Sequence, residues 1–259
     1  MIMVELDMIL QGKSRGRIVC SDCLEVISKL PNEILDLVIA DPPYGRIGGW
    51  PWIENWIEAI YGKIQQNGSI YIFCGIGEKS DSLSKILPII KDKFIFKNLI
   101  TWKKQRGYGT QRNWMYTREE IIFAVKSKDY YFKVLYGDKP RPQFKTGRLG
   151  KIASSYKPLS EFKRITNIWD DIQEITPGVG NKPEWLGHPT QKPEKLMERI
   201  ILASSKENDL VFDPFMGSGT TAVVADRLNR RWFGCDIEQK YVDMALERIR
   251  KDRESRPLF

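Results

Sequence analysis

Short apolar runs bounded by turn residues alternate along this chain with amphipathic stretches, and few folds accommodate that alternation. Residues 17–20, 35–40, 69–74, 94–102, 120–125, 210–212 and 231–235 read as strands. Between them, residues 24–30, 52–64, 79–91, 193–203, 220–228 and 239–250 carry helical patterns. Leu196, Met197, Ile200, Ile201 and Ala203 show the 3.6-residue period of one apolar helix face. Asn67-Gly68 reads as the turn that closes the Trp-rich helix. Strands alternating with helices predict an α/β fold, a mostly parallel, doubly wound sheet with helices on both faces. The 259 residues suit a single domain, 1–259.

From 129 to 187 the pattern breaks down. Pro140, Pro142, Pro158, Pro177 and Pro183 punctuate a stretch with no sustained period, which marks an irregular insert. Its aromatics (Tyr130, Tyr131, Phe132, Tyr136, Phe144, Tyr156, Phe162) argue against disorder. Charge concentrates in the same region. The chain carries a formal +8, and residues 126–164 hold eleven Lys and Arg against three acids, so this segment alone accounts for the surplus. A second basic stretch, 103–118, has Lys103, Lys104, Arg106, Arg112 and Arg118 and no acid. With Gly107 and Gly109 it reads as a mobile loop able to close on a polyanion.

No run of 18 apolar residues occurs, which excludes a transmembrane helix on length. The first residues lack the cationic start of a secretory leader, so a cytoplasmic setting is expected, with no membrane partner. Cys20 and Cys23 form a C-x-x-C, but His188 is the lone histidine and Cys74 and Cys235 stand apart. Four ligands for a structural zinc are not in sight, and the expectation is reduced thiols and no metal.

Two turns carry the chemistry. Phe212-Asp213-Pro214-Phe215-Met216-Gly217-Ser218-Gly219-Thr220-Thr221 lies between a strand and a helix, where glycines let a ligand approach the backbone beside free helix N–H groups. Asp236 ends the next strand, where a carboxylate can accept both hydroxyls of a ribose. No Lys follows the second glycine, so this is not a P-loop. The turn alone implies an adenosyl ligand and leaves a nicotinamide oxidoreductase open.

Asp41-Pro42-Pro43-Tyr44 follows directly on an apolar strand. The two prolines remove two backbone donors, so a carboxylate and a carbonyl can accept both N–H bonds of one amino group. Such acceptance discourages delocalisation of the nitrogen lone pair into a base ring. Tyr44 offers a flat face for stacking.

Together the two motifs resemble the β class of prokaryotic DNA amino-methyltransferases, with the catalytic motif first, the basic insert next and the cofactor turn last. Asp22-Cys23-Leu24, 128–132, Asn167-Ile168-Trp169 and 188–193 (His-Pro-Thr-Gln-Lys-Pro) add to the likeness, which spans nearly the whole chain. The resemblance implies a seven-stranded sheet with one antiparallel strand, a Rossmann-like fold binding S-adenosylmethionine, and transfer to adenine N6 in double-stranded DNA. Cytosine N4 is the alternative, and Asp rather than Ser at position 41 leans towards adenine. It implies that Asp41, Pro42, Pro43 and Tyr44 are catalytic. Phe215, Gly217, Ser218, Gly219 and Thr220 would line the cofactor, with Asp213 at its methionine end. Asp236 would hold the ribose and Asp22 the adenine amine, and Thr190 and Lys192 would lie in the segment that closes over the methionine part. His188 reads as a structural cap rather than a base. The insert would recognise the target, with Lys103, Lys104, Arg106, Arg112, Arg141, Lys145, Arg148 and Lys151 at DNA. A homodimer and a cognate restriction endonuclease are partners that the family admits. A DNA-binding module without catalysis would leave Asp41, Gly217 and Asp236 unexplained.

Overall fold

The computed structural model describes residues 2–43, 49–77, 81–108, 111–140, 161–175 and 185–256. In chain order the helices are α1 (Ile2–Leu10), α2 (Cys23–Lys29), α3 (Gly49–Tyr61), α4 (Leu83–Lys93), α5 (Glu194–Ser204), α6 (Thr220–Arg227) and α7 (Gln239–Ser255). The strands are β1 (Gly16–Cys20), β2 (Leu35–Ala40), β3 (Ile64–Cys74), β4 (Ile95–Tyr108), β5 (Tyr116–Val125), β6 (Tyr136–Pro140), β7 (Phe162–Arg164), β8 (Ile168–Trp169), β9 (Leu210–Asp213) and β10 (Arg231–Asp236).

Eight strands form one sheet in the order β1-β10-β9-β2-β3-β5-β4-β8, and only β5 runs against the others. The eighth strand is the two-residue β8, which adds Ile168 and Trp169 to the β4 edge where seven strands were expected. Burial on both faces explains why the central strands read as unbroken apolar runs. Val38, Ala40, Ile70, Ile72, Phe212 and Phe233 point into one core with α1 to α4. Their neighbours Leu37, Ile39, Tyr71, Phe73, Val211 and Trp232 point into the other with α5, α6 and α7. Each such large side chain taken fully from water contributes about 1.5–3 kcal/mol.

Three further elements differ from the sequence expectation. Residues 2–10 form α1, whose Ile2, Leu6 and Ile9 are buried at helical spacing. Asn67-Gly68 closes no helix: α3 stops at Tyr61, and β3 runs through both residues, with a register shift between Leu35 and Leu37 on β2 absorbing the extra length. The stretch expected as a mobile loop is a hairpin, in which Lys103 pairs with Arg118 and Tyr108 with Tyr116. Its many cations hid a strand pair, because cross-strand packing and not composition decides strand formation at an edge.

The start of the insert belongs to the domain. Tyr131 N–H donates to Asn67 O and Lys133 N–H to Ala203 O, while Tyr130 and Phe132 pack on Phe123. β6 and β7 then pair as a separate two-stranded ribbon.

Candidate active site

Four neighbouring strands, β1, β10, β9 and β2, run parallel and end on the same edge of the sheet. Each brings an aspartate to that edge: Asp22 just past β1, Asp236 at the end of β10, Asp213 at the end of β9 and Asp41 just past β2. Between β9 and β2 the connections part, β9 leading through α6 to β10 and β2 through α3 to β3. A crevice outside the carboxyl ends of the strands forms at such a switch point.

The turn after β9 is held from several sides. Gly217 and Gly219 have φ of 51° and 78°, which L side chains rarely adopt. A Cβ on Gly219 would also stand 2.7 Å from the Ala245 Cβ of α7. Met216 N–H donates to Cys235 O (3.0 Å) and Gly217 N–H to Asp236 Oδ2 (2.9 Å), which ties the turn to the end of β10. The other Asp236 oxygen accepts Glu238 N–H (3.0 Å). A carboxylate has about four acceptor sites, so both oxygens retain capacity for hydroxyl donors. Ser218 and Thr220 are buried, and Arg248 donates to Thr220 Oγ1 (2.9 Å) and Ser218 O (3.3 Å). These two side chains face the domain, so what they can offer a ligand is backbone. Phe215 packs its ring on Trp52 and Trp56, with centroids 5.8 and 5.5 Å away.

Asp213 is 5% exposed; its Oδ1 accepts Phe215 N–H (2.9 Å) and its Oδ2 the Thr221 hydroxyl (2.6 Å). Burial pushes its carboxyl up to about 7, against the pull of those two donors and with the charges of Asp41 and Asp236 adding to the rise. The native state therefore binds the proton more tightly than the unfolded chain. The stability this contributes is whole below the unfolded value of 3.8 and is lost as pH rises through about 7. Asp213→Asn removes the titration while keeping an acceptor and a donor for the same partners. Melting curves at pH 5 and pH 8 are expected to show the variant gaining on the wild type at the higher pH; an equal difference at both would contradict the buried charge.

Asp22 caps α2, its Oδ1 accepting Leu24 N–H (2.8 Å) and Glu25 N–H (3.4 Å). His188 accepts Thr190 N–H at Nδ1 (3.3 Å), stacks edge-on against Tyr241 (4.4 Å) and lies over Gly217, 3.2 Å from where a Cβ would stand. Burial lowers its pKa, so the ring is neutral near pH 7. Thr190 itself is exposed.

Lys192, expected over the cofactor, points at the other motif. Its Nζ lies 2.7 Å from Asp41 Oδ2 and 2.9 Å from Glu119 Oε1, with the Phe73 ring 4.9 Å below. Glu119 takes a second cation, Lys104 Nζ, at 2.7 Å. Burial works against the charge on Lys192, but Asp41 and Glu119 outweigh it and raise its pKa above the ordinary lysine value. Burial likewise works against Glu119, and Lys192 with Lys104 holds it well below the usual carboxylate range. The Lys192 carbonyl accepts the Thr220 hydroxyl (3.2 Å), so one residue joins the glycine turn to the Asp41 carboxylate. Sequence reasoning missed Glu119; the available signal was a pair of acids, Glu119 and Glu120, at the head of an otherwise apolar strand. Lys104, expected at DNA, faces inward to Glu119, whereas Lys103 and Arg112 are exposed on the hairpin. Tyr44, Arg141, Lys145, Arg148, Lys151 and the side chain of Arg106 lie outside the described residues.

The sequence pattern of the DNA methylase family of N6 and N4 methyltransferases matches residues 35–247, from β2 into α7 and across both motifs. The chain belongs to this DNA methylase family. It is 35% identical to the Type II methyltransferase M1.MboII of Moraxella bovis, over 86% of this chain and 92% of that one. The DNA adenine methyltransferase YhdJ of Escherichia coli K12 is 32% identical over 92% of this chain and 84% of its own. The crystal structure of the M1.HpyAVI–SAM complex superposes with a TM-score of 0.62 at 26% identity, over 90% of this chain and 98% of that one.

This DNA methylase is an S-adenosylmethionine-dependent amino-methyltransferase. The edge fits that cofactor. The cofactor presents a sulfonium, an ammonium and ribose hydroxyls, and the carboxyl groups of Asp22, Asp236 and Asp41 are ranged along adjacent strand ends, with Asp213 buried among them. The two glycines of positive φ shape the turn, Gly219 against α7 and Gly217 under the His188 ring. Among the described residues no helix is long and apolar enough to cross a membrane.

Proposed function

We propose that this DNA methylase transfers a methyl group to adenine N6 of a base flipped from double-stranded DNA. The observation that carries the reading is Asp41: it stands at the switch point beside the cofactor turn, with its carboxylate fixed by a buried lysine. S-adenosylmethionine supplies the methyl on a sulfonium, whose sulfur keeps the bond pair when the methyl leaves. Asp213, Phe215, Gly217, Gly219 and Asp236 are assigned to holding it, with Asp22, Ser218, Thr220 and Thr190 around them. Asp41 and the Pro42 carbonyl accept the two N–H bonds of the target amine, with Pro43 shaping the turn and Tyr44 stacking on the base. The nitrogen becomes transiently cationic, and the Asp41 carboxylate stabilises that charge and lies ready for the proton it sheds. Positioning does the rest. Adenine is favoured over cytosine by the aspartate at the head of the motif and by the likeness to an adenine methyltransferase.

Lys192 is a positioning residue in this scheme. Bound to one Asp41 oxygen, it fixes the orientation of the carboxylate. Lys192→Met is expected to lower kcat by roughly 100-fold, the scale of a lost electrostatic partner, while the Kd for S-adenosylmethionine changes little. It should also lower the melting temperature, because Asp41 and Glu119 lose a shared cation in a buried site. Lys192→Arg should recover part of the rate. A Kd that rises in step with the loss of kcat would return Lys192 to cofactor binding.

The chain is read as one catalytic domain, 1–259, with 129–187 as its target-recognition insert. Lys103, Arg106, Arg112, Arg141, Lys145, Arg148 and Lys151 are assigned to phosphates, Lys104 to bracing Glu119. A homodimer in the bacterial cytoplasm, with or without a cognate restriction endonuclease, completes the reading. The test is transfer from labelled S-adenosylmethionine to plasmid DNA, followed by hydrolysis and separation of nucleosides. Label in N6-methyladenine supports the reading; label in N4-methylcytosine keeps Asp41 and replaces the base; label in RNA but not in DNA overturns the substrate.

A further inference from the structure

The β4–β5 hairpin presents large apolar side chains to solvent at its tip. Trp114 is 90% exposed and Met115 64%, and Trp114 is far more exposed than any other large apolar residue described. Hydrogen bonds hold the residues on either side of Trp114. Asn113 Oδ1 accepts Trp114 N–H (2.8 Å), Asn113 Nδ2 donates to the Tyr116 hydroxyl (2.9 Å), and the Tyr116 ring lies so close to Gly77 that a Cβ there would meet it at 2.6 Å. That contact docks the hairpin on the loop after β3, at the catalytic edge of the sheet.

The hairpin is also joined to the catalytic carboxylate. Asp41 pairs with Lys192, Lys192 with Glu119, and Glu119 sits on β5. Trp114 is five residues from Glu119, so it lies no more than about 17 Å from Glu119 at strand rise. The surface around it carries cations: Lys103 and Arg112 are exposed, while Lys104 turns to Glu119 and Arg118, also exposed, pairs with Glu120. Glu119 and Glu120, which follow, are buried.

We propose that the hairpin tip docks on the DNA duplex and that Trp114, with Met115 beside it, enters the base stack at the place the target base leaves. The occupant is set by charge and chemistry. The cations suit phosphates. A flat indole replaces the stacking that the flipped base gives up, and apolar wedges between base steps are a known way to open a duplex. The inference rests on the base-flipping reading above and assigns to the hairpin the unstacking that this reading requires.

The test begins with plasmid DNA methylated by the wild type, from which the modified sequence is read. Two duplexes carrying that sequence are then compared in single-turnover transfer, one fully paired and one with an abasic site opposite the target base. Trp114→Ala is expected to slow transfer on the paired duplex on the order of 10-fold, the effect of one lost stacking partner. On the abasic duplex, where the target is already loosened, the defect should shrink to about 2-fold or less. Trp114→Phe should keep most of the wild-type rate on both. Equal rates for wild type and Trp114→Ala on the paired duplex, or an equal loss on both duplexes, would overturn the wedge and leave the methyltransferase reading intact. A fall in native mass of Trp114→Ala relative to wild type, with equal losses on both duplexes, would make the tip a contact between copies of the chain. Wild type that transfers no methyl to plasmid DNA would remove the function on which the wedge rests.

Discussion

Asp41→Ala is expected to reduce methyl transfer at least about 1000-fold, equivalent to about 4 kcal/mol of transition-state stabilisation, with little change in affinity for S-adenosylmethionine. The substitution removes an acceptor from the target amine and the charge that meets the developing cation. It also leaves Lys192 buried with Glu119 alone. Asp41→Asn should fare little better. An amide oxygen can accept one N–H, but the side chain no longer neutralises Lys192 Nζ, 2.7 Å away. Burst kinetics with labelled cofactor separate the two quantities. A parallel loss of cofactor affinity would mean that Asp41 serves the cofactor and not the base.

Asp236→Ala is expected to act on the other side of the reaction, raising the Kd for S-adenosylmethionine by roughly 100-fold or more, since hydrogen bonds to a charged group contribute about 1.5–3 kcal/mol each. Two effects combine. The ribose hydroxyls lose their acceptor, and Gly217 N–H loses the partner that holds the turn against β10. Saturating cofactor should restore much of the rate, because the Asp41 cluster is untouched. Titration calorimetry gives the affinity, and transfer at high cofactor gives the recovery. A variant that binds normally but turns over slowly would contradict the assignment.

Much of the parallel sheet was legible because its signals are local. The run 35–40 matches β2 residue for residue, and an apolar strand buried on both faces leaves no other placement for it. The glycine turn was legible for the same reason: φ values of 51° and 78° at Gly217 and Gly219 demand the residue type that the sequence displays. What escaped depends on partners distant in the chain. Residues 2–10 carry a helical spacing, Ile2, Leu6 and Ile9, whose meaning appears only when α1 packs near α2 and β1. The hairpin of β4 and β5 hides under lysines and arginines because an edge ladder tolerates charge on its exposed side. Lys192 and Glu119 are 73 residues apart, and no periodicity links them; the segment before α5 and the antiparallel β5 bring them together at the edge where β2 ends in Asp41.

The most direct test of the account is a map of modified bases in bacterial DNA after expression of the wild type and of Asp41→Ala in a host without other methylation. The account expects N6-methyladenine at one short sequence throughout the wild-type sample and at none in the variant, with both proteins present at equal levels. Unmodified DNA from wild type, or the same modified sequence from Asp41→Ala, would contradict it.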